Sequence, residues 1–129
     1  MNEKILIPSE DEEQATLFEW ADINTVKYPC LKNLYAIPNG GKRPKSVAKT
    51  MKRTGTKRGV PDICLPVPKG KYHGLYIELK RIKDGRLSTE QRQWLRDLDE
   101  NGYKAVMCKG WQEAVHVLVN YITERGDKP

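Results

Sequence analysis

The sequence predicts a single α/β domain with a mixed four-stranded sheet flanked by helices, in the order helix, strand, short helix, strand, strand, helix, strand, helix. Three patterns point to it. Two runs rich in β-branched and aliphatic residues, Gly59 to Leu65 and Leu75 to Arg81, flank the insert Pro66 to Lys71, whose prolines and glycine mark a reversal. A further apolar run, Tyr103 to Cys108, is reached from the second only through a helical pattern, the layout of a parallel crossover. Apolar residues recur at helical spacing near both ends of the chain. With 129 residues, 38% of them hydrophobic, the chain has material for one core and not for two, so residues 1–129 read as one domain with irregular tails at 1–8 and 126–129.

The first helix begins near Ser9, a capping hydroxyl followed by Glu10, Asp11, Glu12 and Glu13, which complement the helix dipole. Leu17, Phe18 and Ala21 supply its apolar face, and Glu10, Glu13, Gln14 and Leu17 share one side at spacings of three and four. Residues 22–33 read as a connector, Leu34 to Ile37 as a strand ending at Pro38. Then the charge changes. Lys42, Arg43, Lys45, Lys49, Lys52, Arg53, Lys57 and Arg58 fall within seventeen residues that contain no acid, a local excess above the net charge of +6 for the whole chain. Ser46 to Thr54 reads as a short helix after Pro44, with Val47, Ala48 and Met51 inward and the lysines outward. A charge run is usually a solvated face; this one lacks compensating acids and points to a phosphate backbone. Few aromatics are interleaved with the cations, so backbone and shape recognition is expected rather than base stacking.

After the hairpin and a turn at Lys83 to Arg86, Ser88 starts a helix. Ser88-Thr89-Glu90-Gln91 has the form of a capping box, Trp94, Leu95 and Leu98 face inward, and Asn101-Gly102 ends the helix. Gly110 opens the last helix, where Trp111, Ala114, Val115, Leu118, Val119 and Ile122 form a core stripe. His73 and His116 are isolated, and Cys30, Cys64 and Cys108 lack paired ligand spacing, which argues against zinc and against a disulfide framework. There is no glycine-rich phosphate cradle and no nucleophile elbow, so neither a nucleotide cofactor nor acyl transfer is expected. No signal-peptide pattern or membrane-length apolar run is seen, and the cytoplasm is the expected location.

The residues that do not belong in such a hairpin are Asp62, Glu78 and Lys80, ionisable groups inside apolar runs, where unpartnered burial costs about 2–7 kcal/mol even for neutral polar groups. Side chains alternate faces along a strand, so Glu78 and Lys80 point one way while Ile77 and Leu79 point the other. Antiparallel pairing through the insert lets Asp62 lie across from Glu78. Two carboxylates and an ammonium about one point invite a divalent cation such as magnesium or manganese, and phosphodiester hydrolysis fits that chemistry.

Pro61-Asp62, fifteen residues, then Glu78-Leu79-Lys80 resembles the PD-(D/E)XK nuclease signature. Four ordered pieces are similar to the VRR-NUC branch of that superfamily: Gly59-Val60-Pro61-Asp62-Ile63, Ile77-Glu78-Leu79-Lys80-Arg81, Leu87-Ser88-x-x-Gln91 with Trp94 after it, and Ser9-Glu10-x-x-x-Gln14. The resemblance covers nearly the whole chain and implies a restriction-endonuclease-like sandwich. It further implies magnesium, with manganese as substitute, held by Asp62, Glu78, the backbone carbonyl of Leu79 and Glu10, with Glu13 the alternative to Glu10. Lys80 would orient or help deprotonate the attacking water, and Gln91 would face the site and touch substrate or water, a role beside its capping one. Stand-alone members are similar to structure-specific endonucleases of phage and bacterial origin, which implies branched DNA such as a Holliday junction, bacterial cytoplasm, and a homodimer, because cutting two strands needs two sites. A non-catalytic basic DNA-binding module and an RNA-directed nuclease or binding protein are the competing readings.

Overall fold

The computed structural model describes residues 6–38 and 44–124; of the expected tails at 1–8 and 126–129, residues 6–8 have no helix or strand, and the rest, with the cations Lys42 and Arg43, lie outside the described residues. Helix α1 spans Glu10–Asn24. The Ser9 hydroxyl accepts the Glu12 N–H at 3.2 Å, and the Glu12 carboxylate accepts the Ser9 N–H at 3.0 Å, so two exposed amides at the helix start are satisfied reciprocally. The segment expected as a plain connector contains a 3₁₀ turn at Pro29–Asn33, because proline presets the first dihedral and Leu31 drops into the core.

Strands β1 (Tyr35–Ala36), β2 (Ile63–Leu65), β3 (Leu75–Lys80) and β4 (Lys104–Lys109) form one sheet in that order. β1 and β2 are antiparallel, as are β2 and β3, while β3 and β4 are parallel, with α3 (Thr89–Glu100) in the crossover. This is the expected mixed sheet. One of its faces is apolar: Ile63, Leu65, Leu75, Ile77, Leu79 and Cys108 are buried there against Leu17 and Ala21 of α1 and against Ala114 and Leu118 of α4 (Trp111–Thr123). Each such aliphatic side chain contributes about 1.5–3 kcal/mol of transfer free energy, which makes this layer the main source of stability. Tyr121, outside the expected stripe, completes the layer at 1% exposure and donates its hydroxyl to the Val67 carbonyl at 2.6 Å.

The other face carries polar chemistry and receives α3, whose Ser88 cap and Gln91 form the anticipated box: the Ser88 hydroxyl accepts the Gln91 N–H at 3.1 Å, and Gln91 Oε1 accepts the Ser88 N–H at 2.8 Å. Leu98 is buried and Trp94 and Leu95 are half-buried. Helix α2 (Lys45–Arg53) corrects one expectation. It exists within a residue of its anticipated bounds, yet Val47 is 41% exposed, Ala48 is exposed and only Met51 is half-buried. A helix this short and this cationic gains more from solvating Lys45, Lys49, Lys52 and Arg53 than from burying two small apolar groups.

Gly59 holds the segment before β2 against α3. Its φ is +91°, and a Cβ there would come within 2.7 Å of the Glu90 backbone; Gly55, with φ of +106°, faces open space. Alanine at either site incurs left-handed strain of about 1–2 kcal/mol, and Gly59→Ala adds an overpacking cost of about 1–3 kcal/mol. Thermal denaturation of the two variants should therefore place Gly59→Ala clearly below Gly55→Ala; equal melting points would refute the contact.

Candidate active site

Strand register builds the site. Ile63 pairs with Ile77 in the antiparallel ladder, and continuing that register by one residue sets Asp62 opposite Glu78. The Ile37 N–H donates to the Asp62 carbonyl at 2.7 Å, which extends the β1–β2 pairing by one step to Asp62. On the parallel side Glu78 lies beside Met107 and Lys80 beside Lys109. The polar face therefore carries rows across the strands, with the carboxyls of Asp62 and Glu78 in one and the cations Lys80 and Lys109 in the next.

Glu78 is 1% exposed and Lys80 8%. Gln91 Nε2 donates to Glu78 Oε2 at 3.1 Å, and Lys80 Nζ stands 3.8 Å from the same oxygen. Asp62 Oδ2 accepts the Leu79 backbone N–H at 2.8 Å. Burial pushes the Glu78 carboxyl up to about 9; hydrogen bonding to Asp62 and the Asp62 charge push the same way, Lys80 opposes them, and Glu10 adds to the rise. The Lys80 contact is longer than a hydrogen bond, so it does not hold Glu78 ionised against desolvation and a facing carboxylate. Glu78 Oε1 is buried without a hydrogen-bond partner among the described residues when the carboxyl is taken as ionised. A proton between Glu78 and Asp62 relieves that, as would a cation.

Gln91 thus performs the capping role through Oε1 and reaches the carboxyl pair through Nε2 at once. Glu10 lies exposed in the first turn of α1, near enough for its charge to act on Glu78. Glu13 is 1% exposed, and its Oε1 accepts the Trp111 N–H at 3.0 Å, at the start of α4. An acid inside a run of four acids gives no sequence signal that it is the buried one. Among the described residues no group of three His, Cys, Asp or Glu side chains is gathered to hold a metal ion, so the oxygen donors are the Asp62–Glu78 pair and nearby backbone. Of the expected cations, Lys45, Lys49, Lys52, Arg53, Lys57 and Arg58 are all exposed on or just after α2. His73 and His116 are exposed, and the three cysteines are free thiols. Among the described residues no helix is long and apolar enough to cross a membrane.

The VRR-NUC domain model matches residues 5–112, which include every part of this arrangement. A solved structure described as a VRR_NUC domain protein superimposes with a TM-score of 0.81 at 28% sequence identity, covering 95% of this chain and 94% of its own. No curated protein matches the chain.

The raised Glu78 value has a thermodynamic consequence in the metal-free protein. The folded chain holds this proton up to about pH 9, whereas an unfolded chain releases it near 4.5. Stabilisation from the group is therefore complete below about 4.5 and is lost as pH rises towards 9. Glu78→Gln, which mimics the protonated carboxyl, should raise the melting temperature in chelator at pH 8, by an amount that shrinks towards pH 5. A difference that does not vary with pH would show that Glu78 is ionised throughout.

Proposed function

The chain belongs to the VRR-NUC domain family, a nuclease family, and we propose that it is a magnesium-dependent endonuclease of DNA, with branched substrates such as Holliday junctions preferred. The observation that carries this reading is the Asp62–Glu78 carboxyl pair, Glu78 buried and Asp62 half-buried, opposed across two strands and bracketed by Lys80 and Gln91. Evolved sites place two like charges in a dry setting where a cation or proton resolves the conflict.

Asp62, Glu78 and the Leu79 carbonyl would hold the ion, with Glu10 contributing from α1 directly or through water. Magnesium suits such a sparse donor set because it is commonly held by one or two carboxylates, its own waters and substrate phosphate oxygens. Manganese would substitute. The ion supplies Lewis-acid polarisation of the phosphate and acidification of a water. The chain does the rest. Glu78 and Asp62 give up the proton that neutralises them; Gln91 fixes the Glu78 carboxylate through Oε2; Lys80 orients the attacking water and balances charge on the phosphate. The exposed cations of α2, with Lys57 and Arg58, bind phosphates on either side, and such contacts carry no base information.

Cutting both strands of a junction calls for two sites, so a symmetric homodimer is the expected assembly. Light scattering should give twice the chain mass; a monomer with full junction activity would remove this part of the reading. The enzymatic part is tested by magnesium- or manganese-dependent cleavage of a labelled four-way junction beside linear duplex. Asp62→Ala and Glu78→Ala should each lower cleavage by at least about 100-fold, the scale of losing a central electrostatic element, while DNA binding is kept or tightened because a negative charge has gone. Tight binding with no cleavage of any substrate by the wild type would instead favour a non-catalytic DNA-binding module.

A further inference from the structure

The row adjoining the carboxyl pair on the polar face is aromatic. Register sets Tyr35 opposite Cys64 and Cys64 opposite Tyr76. Tyr103, just before β4, meets the Tyr76 ring edge-on, with centroids 5.4 Å apart and planes at 77°. His73 continues the line, 5.7 Å from Tyr103. Tyr76 is two residues from Glu78 on the same face of β3, about 6.6 Å along the strand. The carboxyl pair therefore has cations, Lys80 and Lys109, on one side and tyrosines on the other.

These rings are not core residues of the ordinary kind. Helices α1 and α4 cover the opposite face, and α3 lies towards β4. At the β1 edge Tyr35 is 47% exposed, while the small Cys64 beneath it is buried. Nor are they poised for proton transfer: the Cys64 contact and burial raise Tyr35, and burial followed by Cys64 pushes Tyr76 up to about 12, so both phenols stay neutral. Neutral rings, the outermost of them 47% exposed, one row from a carboxyl pair that has cations on its other side, suit a π-stacking ligand on an anionic chain.

We propose that Tyr35, over the floor made by Cys64 and Tyr76, is a stacking platform for an unpaired nucleobase of a DNA strand whose phosphate lies at the Asp62–Glu78 pair. Tyr35 stands one strand and two residues from Asp62, about 4.8 Å across and about 6.6 Å along the sheet, a diagonal of about 8 Å that spans a little over two base steps of about 3.4 Å. A fully paired base is stacked on its neighbours and offers no face to Tyr35, whereas a base splayed at a junction or fork does. The inference deepens the nuclease reading and rests on it. It also revises the expectation that base stacking plays no part, because the rings come from separate strands rather than from the cationic stretch.

The test compares binding of a forked duplex, carrying 2-aminopurine in the unpaired arm, with a blunt duplex, in chelator to prevent cutting. Wild type and Tyr35→Phe should quench the 2-aminopurine and bind the fork with equal affinity. Tyr35→Ala and Tyr35→Leu should lose the quench and bind the fork about 5- to 100-fold more weakly, with blunt-duplex affinity and its salt dependence unchanged. Leucine keeps apolar cover over Cys64 without a π face, so its failure to rescue separates stacking from mere sheet cover; melting curves check that each variant is folded. Equal effects on fork and blunt duplex, or no effect on either, overturn the proposal. If the wild type still cuts DNA in that case, the nuclease reading stands and only the platform falls; a wild type that binds neither probe overturns both.

Discussion

Two carboxyl groups facing each other across β2 and β3 are the constraint to which the rest of the polar face answers. Desolvation and mutual repulsion both act against a double negative charge at that point, and the metal-free protein meets them by keeping Glu78 protonated. The arrangement is stable only because the opposite face of the same strands is a closed aliphatic layer. Alternation along β3 puts Ile77 and Leu79 into that layer and Glu78 and Lys80 out of it, so one six-residue strand serves as core and as site. A slip of one residue would exchange the two faces completely.

The elements around the pair are each fixed by a local rule. The Ser88 box starts α3 where Gln91 can reach Glu78, and Gly59 lets the chain pass close to that first turn. Glu13 ties the start of α4 to α1, while the Gly110 N–H donates to the Lys80 carbonyl at 2.9 Å. Helix starts thus converge near the end of β3, where their dipoles favour anionic groups.

Much of this could be read directly from the chain. Period-two alternation exposed the double use of β3, the proline-rich insert implied antiparallel pairing, and the pairing implied Asp62 opposite Glu78. The spacing of Ser88 and Gln91 gave the cap. What could not be read depends on relations between distant segments. Tyr35, Tyr76 and Tyr103 look like scattered strand residues until the sheet order places them in line. Glu13 is indistinguishable from three neighbouring acids without knowing which side of α1 meets α4. Val47 and Ala48 fit an amphipathic pattern, but periodicity says nothing about whether a surface exists for that side to meet. Tyr121 fits the helical spacing, three residues after Leu118, but a phenol in a core layer needs a partner for its hydroxyl, and the Val67 carbonyl that serves lies 54 residues away in sequence.

The twofold engagement of Gln91 has a consequence in symmetry. The two oxygens of a carboxylate are interchangeable in water, and so are the two ends of an amide to a first approximation of shape. Here the Ser88 N–H demands an oxygen from Gln91, which forces the nitrogen end towards Glu78 Oε2. Lys80 stands near that same oxygen, leaving Oε1 as the buried end that neither Gln91 nor Lys80 serves. A helix cap thereby breaks the degeneracy of a carboxylate thirteen residues away, and its two oxygens meet different surroundings instead of equivalent ones.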